Sequence, residues 1–257
     1  MTGKPIRLNR LLDRKTGRAL ILPFDHGYFL GPIQGGVEFR RVVELGCSSR
    51  ANALLLTRGI AKATEDIFSG KKGLILRISG TTTLGTYPDY EVVVGSVEGA
   101  LVLGADAVAV TIFLGTDQEQ DMLKGLGHVA EACDRYGVPL LGEIMFGRKY
   151  AERAYDPDIV AWAARLGQEA GADMLKLNYP GSADGMGAVV EGCSLPIVVA
   201  GGPRMDTEAD IMDMARGAVE GGAAGLCVGR NVFQAEDPAN ILQQFADIVH
   251  GKEKGQP

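Results

Sequence analysis

Apolar residues recur along the chain in eight short runs, at 19–24, 53–57, 74–78, 107–113, 139–145, 174–178, 196–200 and 225–228. Several are apolar at successive positions, the pattern of parallel strands that helices cover. Between them lie segments of helical period. In 158–166, Ile159, Trp162, Ala163 and Leu166 follow helical spacing, and Asp156-Pro157 marks a helix start. Trp162 and the helically spaced methionines read as core. Gly-Ala-Asp or Gly-Ala-Ala precedes three of the runs, at 104–106, 171–173 and 222–224. A glycine that ends a helix and leads quickly into a strand is what a repeated αβ unit needs.

Eight such units without a linker predict one closed (β/α)8 barrel, a TIM barrel, over 1–257. A doubly wound open sheet is the alternative; no Gly-x-Gly-x-x-Gly turn follows the first run to support a nucleotide-binding version of it. Residues 8–13 predict a short helix under the barrel, and 252–257 form a polar tail expected to be disordered.

Composition narrows the function. A net charge of -6 with no basic run argues against nucleic acid as a partner. No apolar segment approaches membrane-spanning length and residues 1–5 lack a secretory pattern, so no membrane partner and a cytoplasmic location are expected. Cys47, Cys133, Cys193 and Cys227 are scattered and read as reduced thiols. His26, His128 and His250 form no ligand set, so no metal is expected. No nucleophile elbow supports a Ser/His/Asp arrangement, and no cofactor is implied.

In such a barrel, chemistry sits at the C-terminal ends of the strands. Lys176 lies there within an apolar run and shares a face with Met174 and Asn178. A lysine so placed either snorkels or pairs with a carboxylate, or loses its proton near neutrality and attacks a carbonyl as an amine. Asp25 and His26 follow the first run; Asp25 is a proton shuttle or a turn former. Arg77 points into the barrel or into the helix layer and needs a carboxylate, which Asp25 or Glu143 could supply. Glu143 shares a strand face with Leu141 and Met145, as an acid/base near Lys176 or as a structural partner for it. Gly201-Gly202 and Gly229-Arg230 follow the last two runs, where glycine turns cradle phosphate; the bland reading is that they only make tight turns. His26 and Arg77 complete the candidate substrate contacts.

Asp25-His26-Gly27-Tyr28-Phe29-Leu30-Gly31-Pro32, Leu175-Lys176-Leu177-Asn178-Tyr179, Ala200-Gly201-Gly202 and Gly229-Arg230-Asn231-Val232-Phe233-Gln234 together resemble one group of Schiff-base barrel enzymes across almost the whole chain. The group holds archaeal-type class I fructose-bisphosphate aldolases, aminodideoxyheptulosonate synthases and the thiolase that cleaves the phosphorylated dione of autoinducer-2 breakdown. The resemblance implies Lys176 as the imine-forming lysine, Asp25 beside it, a phosphate site at the glycine turns with Arg230, and a homo-oligomer. One departure stands out. The aldolases and synthases end strand five with Tyr-Pro-Arg-Gly, whose tyrosine is an acid/base; here the chain reads Glu143-Ile144-Met145-Phe146-Gly147-Arg148-Lys149.

The combined expectation is a lyase that forms an imine on Lys176 with a phosphorylated ketose such as fructose 1,6-bisphosphate, with Asp25 favoured over Glu143 for proton transfer. Its rivals are a thiolase that passes an acetyl group from a phosphorylated dione to coenzyme A, a phosphosugar isomerase without a covalent step, and a sugar-phosphate-binding regulator.

Overall fold

The structure, a computed structural model, describes residues 3–252. Eight parallel strands close into a barrel: β1 (Ala19–Phe24), β2 (Ala53–Thr57), β3 (Gly73–Arg77), β4 (Ala107–Leu114), β5 (Leu140–Phe146), β6 (Met174–Leu177), β7 (Ile197–Ala200) and β8 (Gly225–Cys227). β8 pairs with β1 through Gly225 opposite Ala19, which closes the ring and rules out the open sheet. Each strand lies where an apolar run predicts it, within a residue or so at the ends.

Strand parity sorts the side chains into two cores. Ala19, Ile21, Ala53, Leu55, Ile75, Ala107, Ala109, Leu141, Met174, Val198 and Cys227 fill the barrel interior. Their sequence neighbours, such as Leu20, Leu54, Leu74, Val108 and Leu175, pack outward against the helices. Alanine recurs inside because the interior of an eight-stranded barrel is only wide enough for side chains to fill it.

The N-terminal helix spans Gly3–Leu11, earlier than the predicted 8–13. Asp13 does not continue it, because its carboxylate accepts the backbone N–H groups of Lys15 (3.0 Å) and Thr16 (2.9 Å) and shapes a turn into β1. Leu11 inserts into the barrel floor, where it contributes to the interior core.

The repeated Gly-Ala-Asp motif proves to be a fastening. Gly104 and Gly171 adopt positive φ (77° and 89°), which ends each helix without a Cβ clash. The aspartate that follows accepts the backbone N–H of the preceding strand: Asp106 from Leu74 at 3.2 Å, Asp173 from Leu140 at 2.8 Å. Both carboxylates also hold the N-terminal helix, Asp106 through Arg10 (2.8 Å) and Asp173 through Lys4 (2.8 Å).

Trp162 corrects the sequence reading. It is 56% exposed, and the buried stripe of helix Pro157–Glu169 is Val160, Ala163, Ala164 and Gly167. This helix packs so close to β6 that a Cβ on Gly167 would strike Leu175. Small residues therefore mark the packed face, and the indole falls outside it. The methionine expectation fares better: Met122, Met174, Met186, Met212 and Met214 are buried. All four cysteines are free thiols, three of them buried. Among the described residues no helix is long and apolar enough to cross a membrane. Of the polar tail 252–257, residues 253–257 lie outside the described residues.

Candidate active site

The interior apolar layers give way to charge at the C-terminal mouth. Thr111 of β4, Glu143 of β5 and Lys176 of β6 are direct register partners, so three adjacent strands place their side chains at one height. Lys176 is 7% exposed, and its Nζ lies 2.6 Å from Glu143 Oε1. Arg77, at the end of β3, points into the barrel and reaches three carboxylates: Asp25 through Nε at 2.5 Å, Glu91 through Nη1 at 3.1 Å, and Glu143 through Nη2. Thr111 Oγ1 donates to Glu143 Oε2 at 2.8 Å. A charge this buried persists only when paired and hydrogen-bonded, and the guanidinium fork does both for its neighbours at once.

Burial pulls the Lys176 ammonium down, but the charges of Glu143 and Asp25 outweigh it and hold the group above the ordinary lysine range. The idea that burial would free the amine near neutrality is therefore corrected: the resting lysine is an ammonium. Glu143 carries the other half of the pair. Burial pushes its carboxyl up, yet Lys176 and Arg77 hold it far below the usual range. Asp25 is likewise held low by the Arg77 guanidinium against the effect of burial. Glu91 goes the other way: burial pushes its carboxyl up, more than Arg77 and Ser79 pull it down. His26 is pushed by burial to about 4, so it is neutral at pH 7.

A cavity of about 440 Å³ opens above this cluster, and every candidate from the sequence lines it: Lys176, Asp25, Glu143, His26, Arg77, Gly201, Gly202, Gly229 and Arg230. The turns after β7 and β8 are locked together by buried Asn231, whose amide donates to Gly201 O (2.8 Å) and Pro203 O (2.9 Å) and accepts from Met205 N (2.8 Å). Gly229 has no room for a side chain, since a Cβ there would sit 2.6 Å from the His26 ring and 2.8 Å from Pro23 O. Two buried nitrogens at this wall, Arg230 Nε and His26 Nδ1, have no hydrogen-bond partner; His26 Nδ1 is 3.6 Å from Asp25 Oδ1, too far for one. An unsatisfied guanidinium N–H at this wall suits an anion. Among the described residues no cluster of three or more His, Cys, Asp or Glu side chains is arranged to hold a metal ion.

Sequence reasoning did not single out several wall residues, Thr111, Glu91 and Tyr155 among them. Thr111 was within reach, because it shares inward parity with Ala107 and Ala109. Glu91 comes from the loop closed by the antiparallel ribbon of Ser79–Gly80 with Val92–Val93, and Ser79 Oγ donates to its Oε2 at 2.6 Å. Its only signal is a carboxylate beside three valines. Tyr155 sits on the loop after β5, which Asn178 pins by donating to Ala154 O at 2.9 Å. Met145 takes the β5 wall position. Arg58, by contrast, is exposed in helix Arg58–Ala63 and does not line the cavity.

A closed (β/α)8 barrel with a buried, ion-paired charge cluster at the C-terminal mouth is the architecture of the barrel enzymes. A model of the DeoC/LacD family aldolases matches residues 19–235, and the chain belongs to that family. A 2-amino-3,7-dideoxy-D-threo-hept-6-ulosonate synthase of Archaeoglobus fulgidus is 37% identical over 98% of this chain and 92% of its own length. A 3-hydroxy-5-phosphonooxypentane-2,4-dione thiolase of Yersinia pestis is 34% identical over 98% and 84%. An archaeal fructose-1,6-bisphosphate aldolase, solved with its catalytic lysine covalently bound to the carbinolamine intermediate of its substrate, superimposes with a TM-score of 0.89 at 31% identity over 96% of this chain and 99% of that one.

Proposed function

We propose that the protein is a class I Schiff-base lyase of phosphorylated ketoses, of the type that cleaves fructose 1,6-bisphosphate or a related keto phosphate. The observation that carries this reading is the 2.6 Å contact of Lys176 with Glu143 on the wall of a cavity whose other wall holds Arg230. Glu143 takes a proton from the ammonium, and the neutral amine adds to the substrate carbonyl. Loss of water from the carbinolamine gives an iminium, an electron sink that lets the neighbouring C–C bond break or form. Asp25 orients Arg77, which in turn holds Glu143. The phosphate, bound by Arg230 at the glycine turns, fixes the carbonyl over Lys176.

The thiolase reading stands second, and Met145 favours it. β5 ends in Met145-Phe146, followed by Gly147-Arg148, without the tyrosine of the aldolases' Tyr-Pro-Arg-Gly motif. Turnover of a panel of phosphorylated ketones with and without coenzyme A separates the two: cleavage independent of coenzyme A supports the lyase, and strict dependence on it supports acyl transfer. In the same assay, Arg230→Ala should weaken a phosphorylated substrate by about 1.5–3 kcal/mol more than its unphosphorylated analogue, the scale of a hydrogen bond to a charged group. Equal losses would place the phosphate elsewhere.

A further inference from the structure

We propose that Glu91 carries the proton of the C–C bond step, taking it from the substrate hydroxyl as the bond breaks and returning it to the carbon of the enamine. This rests on the imine reading above. Three carboxyl groups line the cavity, Asp25, Glu91 and Glu143, and their attachments differ. Asp25 is bound to Arg77 Nε at 2.5 Å. Glu143 is held by Lys176, Arg77 and Thr111 at once. Both are pinned as anions, and Glu143 is already committed to the Lys176 ammonium.

Glu91 is held more loosely. It meets only Arg77 Nη1, at 3.1 and 3.4 Å, a donor that also reaches Thr111, and it takes the Ser79 hydroxyl at 2.6 Å. The other charges that act on it are the like charges of Glu143 and Asp25, which oppose its ionisation as burial does. It is therefore the carboxyl of the three least tightly held as an anion, and so the best placed to take up and return a proton. With no phenol at β5, the cleavage step has this base available. The hydroxyl O–H breaks, its proton passes to a Glu91 carboxylate oxygen, the oxygen pair forms the aldehyde C=O, and the C–C electrons move to the iminium nitrogen. The enamine then takes the proton from Glu91 at carbon, which restores the iminium and the carboxylate.

The test is deuterium exchange from solvent into dihydroxyacetone phosphate, a three-carbon keto phosphate, followed by NMR, alongside borohydride trapping of the same compound. Wild type and Glu91→Gln should trap alike, while exchange falls about 10²-fold or more in the variant. Unchanged exchange in a Glu91→Gln protein that still traps overturns the assignment. The pH profile gives an answer that does not depend on the glutamine variant folding. Wild-type exchange should rise with pH through an ionisation above the ordinary carboxylate range, and Glu91→Asp should move that limb. A limb that Glu91→Asp leaves in place overturns the proposal. No trap in wild type would overturn the imine reading itself, and this inference with it.

Discussion

At the residue scale, the ion pair decides how Lys176 works. An ammonium held by Glu143 at 2.6 Å is not a nucleophile until its proton moves, and Glu143 is the acceptor in contact with it. Glu143→Gln should therefore slow borohydride-trappable imine formation by about 10²-fold or more, the scale of a lost acid/base group. Asp25→Asn leaves Arg77 its contacts to Glu143 and Glu91 and should slow trapping by less than about tenfold. The sequence reading favoured Asp25 for proton transfer in turnover and not for imine formation; trapping that fails in Asp25→Asn but survives in Glu143→Gln would contradict this order. His26 gives a stability prediction. Its folded value of about 4 lies below the ordinary histidine value of 6.5, so the unfolded chain binds more protons between those values. Stability from this group is then complete above about pH 6.5 and is lost as pH falls toward 4, by roughly 3 kcal/mol. Urea unfolding at pH 7 and pH 4.5 should show a smaller acid loss in His26→Asn than in wild type. An equal loss would mean that His26 protonates in place.

At the element scale, the strands were legible because several are apolar on both faces and a Gly-Ala-Asp or Gly-Ala-Ala step leads into three of them. Helix faces were harder to read. Trp162 satisfies helical period yet lies outside, because the packed face is selected by how closely the helix approaches β6, a distance no periodicity encodes. Lys176, Glu143 and Arg77 were found by strand parity. Glu91 was not, because a two-residue ribbon and not a regular element delivers it to the cavity. Two glycines test the packing account. Gly225 has φ 139° and a Cβ there would collide with the Ala19 backbone at the β1–β8 seam. Gly225→Ala should cost at least about 3 kcal/mol, strain and overpacking combined. Gly127, inside helix Glu119–Tyr136 with open space around it, should gain about 0.5–1 kcal/mol as alanine. Thermal unfolding of both variants checks the pair, and similar melting temperatures would contradict it.

At the scale of the whole molecule, the barrel separates two tasks. The floor is sealed by the N-terminal helix, with Leu11 inserted and Arg10 and Lys4 tied to the motif aspartates. The mouth gathers residues from β1, β3, β4, β5, β6 and the last two turns around one cavity. Stability at one end leaves the other free to hold buried charge, whose desolvation costs several kcal/mol per ion. The central claim is that the lysine at this mouth forms a covalent imine. Borohydride reduction in the presence of a phosphorylated ketose, followed by peptide mass analysis, tests it directly. The account predicts one reduced adduct, on the peptide containing Lys176, and its complete loss in Lys176→Arg, whose guanidinium stays protonated. An adduct on another lysine such as Lys149, or turnover that persists in Lys176→Arg, would contradict it.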